Sequence, residues 1–174
     1  MEFNAIEIVW KEFVKAWLST NTCVSAMITI PEFERMSDDE AKKFAASYGF
    51  TDDEQSSLLT AADRKEEYVR VVRWKNAVQA GRDIYQARLT LREQRIFMPP
   101  ELTKQFSEII ERMSNVQVEQ RLSIAHRRDW DHKGPSTAWV QECTVVFEDM
   151  ATKANRRLFR DEYPSSVRVR TLKE

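Results

Sequence analysis

Only three glycines occur in 174 residues, roughly a quarter of what an average usage near ~7% would supply. β-sandwiches, barrels and glycine-looped nucleotide folds turn through residues with positive φ, a conformation that glycine adopts without a Cβ penalty. This chain has almost none to offer them. Gly49, Gly81 and Gly134 also stand apart from one another, so neither Gly-x-Gly-x-x-Gly nor a Walker loop can be written. With 42% hydrophobic and 32% charged residues, drawn mostly from good helix formers, the chain reads as all-α. Its length suits one domain with a sizeable core.

Apolar spacing places the helices. Phe3, Ile6, Trp10, Phe13, Trp17, Thr20, Val24 and Met27 alternate steps of three and four, a heptad seam. They predict a helix from Glu2 to Ile30, about 43 Å long, stopped at Pro31. Ser37-Asp38-Asp39-Glu40 and Thr51-Asp52-Asp53-Glu54 are capping boxes that open two short helices. Gly49 lies where a left-handed helix stop is wanted, and Met36, Phe44, Phe50, Leu58 and Leu59 are the apolar contacts on offer. A long helix follows from about Ala61 to Arg95. Val71, Trp74, Val78, Tyr85, Leu89 and Ile96 form its main stripe, with Ala77, Ile84 and Leu91 as a second. Gly81 falls in the main stripe and reads as a point of close helix approach.

Pro99-Pro100 ends that helix and starts the next, whose Leu102, Phe106, Ile109, Met113 and Val116 face the core as far as about His126. Asp129–Pro135 is a loop. Ser136 or Thr137 caps a last helix that carries Trp139, Cys143, Val146, Phe147, Met150, Ala154 and Leu158 and closes at Pro164. The expected architecture is an antiparallel bundle of about four long helices with a two-short-helix insert (31–62) after the first. It forms one domain over 1–163, followed by a mobile basic tail, 164–174.

The formal net charge of −1 argues against nucleic-acid or membrane binding as a whole-chain property. The charge is unevenly placed, however. Residues 1–63 carry 12 acids against 5 bases, and 64–98 carry 9 bases against 4 acids, which reads as internal complementarity. Arg70 and Arg88 fall between the two apolar stripes of the long helix, with Arg95 close to them and Arg92 nearer the main stripe. A guanidinium left unpaired among packed neighbours costs about 3–5 kcal/mol. Acids of the first helix, the insert or Glu101 are therefore the expected partners. The functional alternative is an anion or RNA-backbone site, with Trp74 and Tyr85 as stacking surfaces.

Phe33–Glu40 with Phe44, Ala62-Asp63-Arg64-Lys65 with Tyr68, Trp74, Asn76-Ala77 and then Ile96-Phe97-Met98-Pro99-Pro100-Glu101-Leu102 with Phe106 form a recognisable series. In these the chain resembles a group of small bacterial proteins of unassigned function that share an aromatic-Met/Leu-Pro-Pro-Glu-Leu turn after a long helix. The resemblance runs from Ile8 to Met113, roughly 60% of the chain by span, and Ile96–Leu102 is its most specific part. It implies a bacterial cytoplasmic protein and brings no catalytic residue.

Chemistry-bearing residues are few. His126 and His132 share a short stretch with Asp129 and Asp131, a donor set that suits Zn, Mn or Fe. Six residues apart, the histidines would point to different faces of a helix, and Arg127, Arg128 and Lys133 repel a cation, so a solvated loop is the favoured reading. Cys23 and Cys143 fall in apolar-periodic stretches and read as buried, inert thiols in a reducing compartment. Met1–Trp10 reads as amphipathic helix rather than a signal, and no apolar run approaches the ~20 residues of a membrane span; a cytoplasmic location is expected.

The expected function is that of a non-enzymatic helical interaction or assembly protein without a cofactor. Its partner is another protein, or a second copy met through the Phe3–Met27 seam, with Trp10, Trp17 and Trp130 on the interaction surface. Nucleic-acid binding through Arg70, Arg88, Arg92, Arg95 and the tail is the alternative, and a metal-dependent enzyme at His126–His132 the third reading.

Overall fold

The computed structural model describes residues 2–25, 27–126 and 135–158, and all six of their regular elements longer than one turn are α-helices. In chain order these are α1 (Glu2–Val24), α2 (Asp38–Ser47), α3 (Asp52–Thr60), α4 (Arg64–Gln94), α5 (Pro100–Ala125) and α6 (Pro135–Leu158).

α1 ends six residues before the expected Ile30. Ser19-Thr20-Asn21-Thr22-Cys23-Val24-Ser25 is a run of weak helix formers, and its hydroxyls turn back on the helix. Thr20 Oγ1 donates to the Ala16 carbonyl at 2.7 Å and Thr22 Oγ1 to that of Leu18 at 3.0 Å. Met27, expected on the seam, lies past the helix and is 92% exposed. The buried row is Ile6, Val9, Phe13, Ala16, Thr20 and Cys23, turned slightly from the expected seam so that Trp10 and Trp17 stand on its flank.

The caps of the short helices form as their sequences dictate. Ser37 and Glu40, then Thr51 and Glu54, satisfy each other's amides reciprocally, and Gly49 between them has φ of 72°. This insert does not stand alone. Phe33, Ala41, Ala45, Phe50 and Leu58 bury against Tyr68 and Val71 of α4. Tyr68 is the hub, with the Phe50 ring stacked 5.6 Å away and Phe33 at 5.4 Å. Lys75 anchors the far side, donating to the Gly49 carbonyl at 2.8 Å and pairing with Glu54 at 2.9 Å.

α4 runs unbroken from this small core into the main one. There its buried row is Ala77, Ala80, Ile84, Ala87 and Leu91, spaced three and four. The pairing of α1 with α4 is the most extensive between helices, and both faces are rich in small side chains that let helix axes approach closely. Of the stripe expected to be the main core face of α4 only Val71 is buried; Trp74, Val78 and Leu89 are half-buried, and Tyr85 is 61% and Ile96, just past the helix, 76% exposed. The expected second stripe, Ala77, Ile84 and Leu91, lies in the buried row. Large aromatic side chains outweigh alanine in any hydrophobicity count, yet alanine is what a tight helix contact requires.

α5 matches its expected span and face, with Leu102, Phe106, Ile109, Ile110, Met113 and Val116 buried. α6 packs on α5 and α1 through Trp139, Met150 and Ala154. Ser136 is not a simple cap as expected: Pro135 begins the helix, and Ser136 is fully buried against α5. The tail, 164–174, lies outside the described residues.

Candidate functional site

Trp74, Val78, Gly81, Tyr85, Arg88, Arg92 and Arg95 are separated by steps of four and three, so they stand in one row along α4, with Arg95 at its C-cap. At the start of the row Trp74 is partly covered, with the Arg121 guanidinium of α5 5.1 Å from its ring centroid. Gly81 marks the close approach that its position predicts. A Cβ there would come within 3.1 Å of Gln117 Nε2, and that amide donates to the Ala77 carbonyl at 2.9 Å. Beyond Gly81 the row is open to solvent: Tyr85, Arg88, Arg92 and Arg95 are all exposed.

The expected internal pairing of the arginines holds only for Arg70, and with a different acid. Its guanidinium grips Glu67 of its own helix, with Nε 2.7 Å from Oε2. That hydrogen bond raises its pKa against the opposing effect of burial. Among the described residues Arg88, Arg92 and Arg95 have no carboxylate partner, and none of the ion pairs there involves α4 beyond Lys75. They face solvent, so no desolvation penalty demands a partner. The expected complementarity between residues 1–63 and 64–98 forms, but through other bases of the second segment. Glu34 pairs with Lys65, Asp38 with Arg64 and Glu54 with Lys75, all at the opposite end of α4.

At the C-terminal end of α4 a 3₁₀ turn over Arg95–Phe97 leads into Met98 and the two prolines. Met98 and Leu102 plug the core, while Arg95 and Ile96 line an open groove of about 550 Å³ with Pro100, Thr103, Lys104 and Glu108 of α5. The most specific part of the sequence resemblance thus divides into an inward half and an outward half.

The other candidates are placed as follows. Trp10 and Trp17 pack inward on the Phe147 ring of α6, at 5.4 and 4.3 Å between centroids. They join α1 to α6 instead of forming an open surface. The middle of the seam is filled within one chain, with Ile6, Phe13 and Thr20 fully buried, while Phe3 and Met27 at its ends are exposed. His126 is exposed and caps α5, its amide donating to the Leu122 carbonyl at 3.0 Å. Asp129, Trp130, Asp131 and His132 lie outside the described residues, among which no three His, Cys, Asp or Glu side chains are grouped to hold a metal. Burial pushes the Cys23 thiol up to about 11, which suppresses the thiolate. Cys143 is only partly buried and places its Sγ 3.8 Å from the Val140 carbonyl.

Two polar features escaped the sequence reading. Asp63 caps α4, accepting from the Lys65 and Glu66 amides; its place three residues before Glu66 is a signal that could have revealed it. Glu119 of α5 accepts from both the amide and the hydroxyl of Ser136, and Gln120 Nε2 donates to the same hydroxyl at 3.0 Å. No local pattern announces a cap supplied by another helix. Compared with protein-family models, curated proteins and solved structures, the chain matches none.

Proposed function

We propose that this chain is a non-enzymatic interaction protein of the bacterial cytoplasm that engages an anionic partner through the outward face of α4. One observation carries the reading: Tyr85, Arg88, Arg92 and Arg95 form a single exposed row, and no carboxylate of the described residues neutralises it. Tyrosine and arginine are the side chains that most often anchor interfaces. The inward placement of the Cys23 thiol and its raised pKa favour a role without nucleophilic chemistry. No helix among the described residues is long and apolar enough to cross a membrane.

The scaffold in this reading is an antiparallel four-helix bundle with the two-helix insert on α4. Its support lies in contacts that run in opposite directions. Asn21 and Trp10 of α1 meet Trp139 and Phe147 of α6. Arg112 and Gln120 of α5 meet Glu142 and Ser136 of α6, and Trp74 and Ala77 of α4 meet Arg121 and Gln117 of α5.

Affinity capture with the wild type and an Arg88→Glu/Arg92→Glu variant tests the face, alongside sedimentation mass. The reading expects a monomeric, folded variant that loses a partner the wild type retains. Equal retention by both would refute it. Nucleic-acid binding is the second reading, favoured by the same three arginines beside Tyr85, although Arg70 is now committed to Glu67. It requires salt-dependent retardation of RNA or DNA that the variant loses. Metal analysis of the purified protein decides the His126–His132 reading.

A further inference from the structure

The exposed end of α4 combines apolar and cationic side chains in an order that narrows the partner further, resting on the α4-face reading above. Tyr85, Leu89, Arg92 and Ile96 are spaced four, three and four over about 16 Å, so Leu89 and Ile96 lie along one edge of the row that holds Tyr85, Arg88, Arg92 and Arg95. Ile96 is 76% and Phe97 41% exposed, and the row runs into the open groove between Ile96, Pro100 and Thr103.

A nucleic-acid strand would use the cations and the tyrosine plane. It gains little from an exposed branched aliphatic side chain at the end of the row. Apolar anchors bordered by guanidiniums suit a different ligand, a helix with one apolar face and carboxylates along its edge. The observed length matches about three turns of such a helix. A second copy of this chain does not supply it from its acidic first third. The apolar faces of α1, α2 and α3 are already buried through residues such as Phe13, Ala41, Ala45 and Leu58.

We infer that α4 and the Ile96 groove receive an acidic amphipathic helix of a protein partner. Its apolar residues seat on Tyr85 and Ile96, and its carboxylates pair with Arg88, Arg92 and Arg95.

The test uses the full chain and fluorescein-labelled synthetic helices of about 18 residues, five turns, read by fluorescence anisotropy at low and at physiological salt. One probe has leucines at i, i+3, i+4 and i+7 flanked by glutamates. A second replaces Glu by Gln, a third replaces Leu by Ser, and a fourth is a single-stranded oligouridylate of similar length. The acidic amphipathic probe should bind, with both peptide controls about tenfold or more weaker. Ile96→Glu and, separately, Arg88→Gln/Arg92→Gln should each weaken binding about tenfold, with helical content and melting unchanged because all three residues are exposed. Equal binding of the Gln probe, or of the Ile96→Glu variant, overturns the inference. Oligouridylate binding that needs Arg88 and Arg92, without peptide binding, overturns the acidic helix and leaves the α4 face standing. If no probe binds, this inference falls, and capture with the Arg88→Glu/Arg92→Glu variant still decides the face itself.

Discussion

The Gln117 side-chain amide donates to the Ala77 carbonyl at 2.9 Å, and a Cβ on Gly81 would stand 3.1 Å from that same nitrogen. Alanine in a helix gains about 1 kcal/mol over glycine. A buried hydrogen bond forced out of place loses about as much, with the crowding added. Gly81→Ala should therefore leave wild-type stability nearly unchanged and stabilise the protein by about 1 kcal/mol once Gln117→Ala has opened the space. Urea unfolding of the four proteins in this cycle measures the difference, and equal effects in both backgrounds would contradict the contact.

Ser136 is fully buried, and its hydroxyl and amide serve Glu119 and Gln120 of α5 at once. Ser136→Ala leaves Gln120 Nε2 without this acceptor and should cost about 1–3 kcal/mol. Exchange protection of α6 amides near Trp139 should fall before that of α1 or α4, and uniform loss across all helices would contradict the assigned role.

The ring of Phe147 touches both Trp10 and Trp17, and Trp10 also meets Phe106 at 6.4 Å. Trp10→Ala and Trp17→Ala should each lower stability by about 2 kcal/mol, below the cost for a fully buried aromatic because both are only partly buried. Neither change should release a partner held by α4. If either left stability intact and abolished binding, the tryptophans would be interface residues after all.

Acid should loosen the insert. The Ser37 amide and hydroxyl hold the Glu40 carboxyl below its usual 4.5. Burial pushes Glu54 up, but the Lys75 ammonium and the Thr51 amide outweigh it and leave that carboxyl lowered too. Carboxyls depressed on folding contribute stability that is complete above about pH 4.5 and lost as pH falls through the folded values. Glu40 is fully exposed and Glu54 is not, so Glu54 carries more of the effect. Amide protection of α2 and α3 should drop as pH falls below the usual 4.5 of these carboxyls, and Glu54→Gln should flatten that dependence.

How much the sequence disclosed depended on whether a signal was local. The boxes at Ser37 and Thr51, the left-handed Gly49 and the proline start of α5 each depend on a few adjacent residues, and each formed as read. The face of α5 was equally plain because its large side chains are the buried ones. In α4 the two diverge. Ala77, Ala80 and Ala87 are buried while Tyr85 and, just past the helix, Ile96 are exposed, because what decides the face is how closely α1 and α5 approach, and a single helix cannot report that. The arginines followed from the same inversion: once the stripe beside them faces water, their need for internal acids disappears.

Whether α4 turns its alanines inward and its tyrosine–arginine row outward decides both the fold and the proposed site. Single cysteines at Ala80, Ala87, Tyr85 and Ile96, each in a background with Cys23 and Cys143 replaced by serine or alanine, can be labelled with a maleimide under native conditions and in denaturant. The account predicts that Tyr85→Cys and Ile96→Cys react at close to their unfolded rates, whereas Ala80→Cys and Ala87→Cys are protected about a hundredfold or more by the stability of the core. Protection at positions 85 and 96 with free reaction at 80 and 87 would contradict the buried face of α4, and the interaction surface would fall with it.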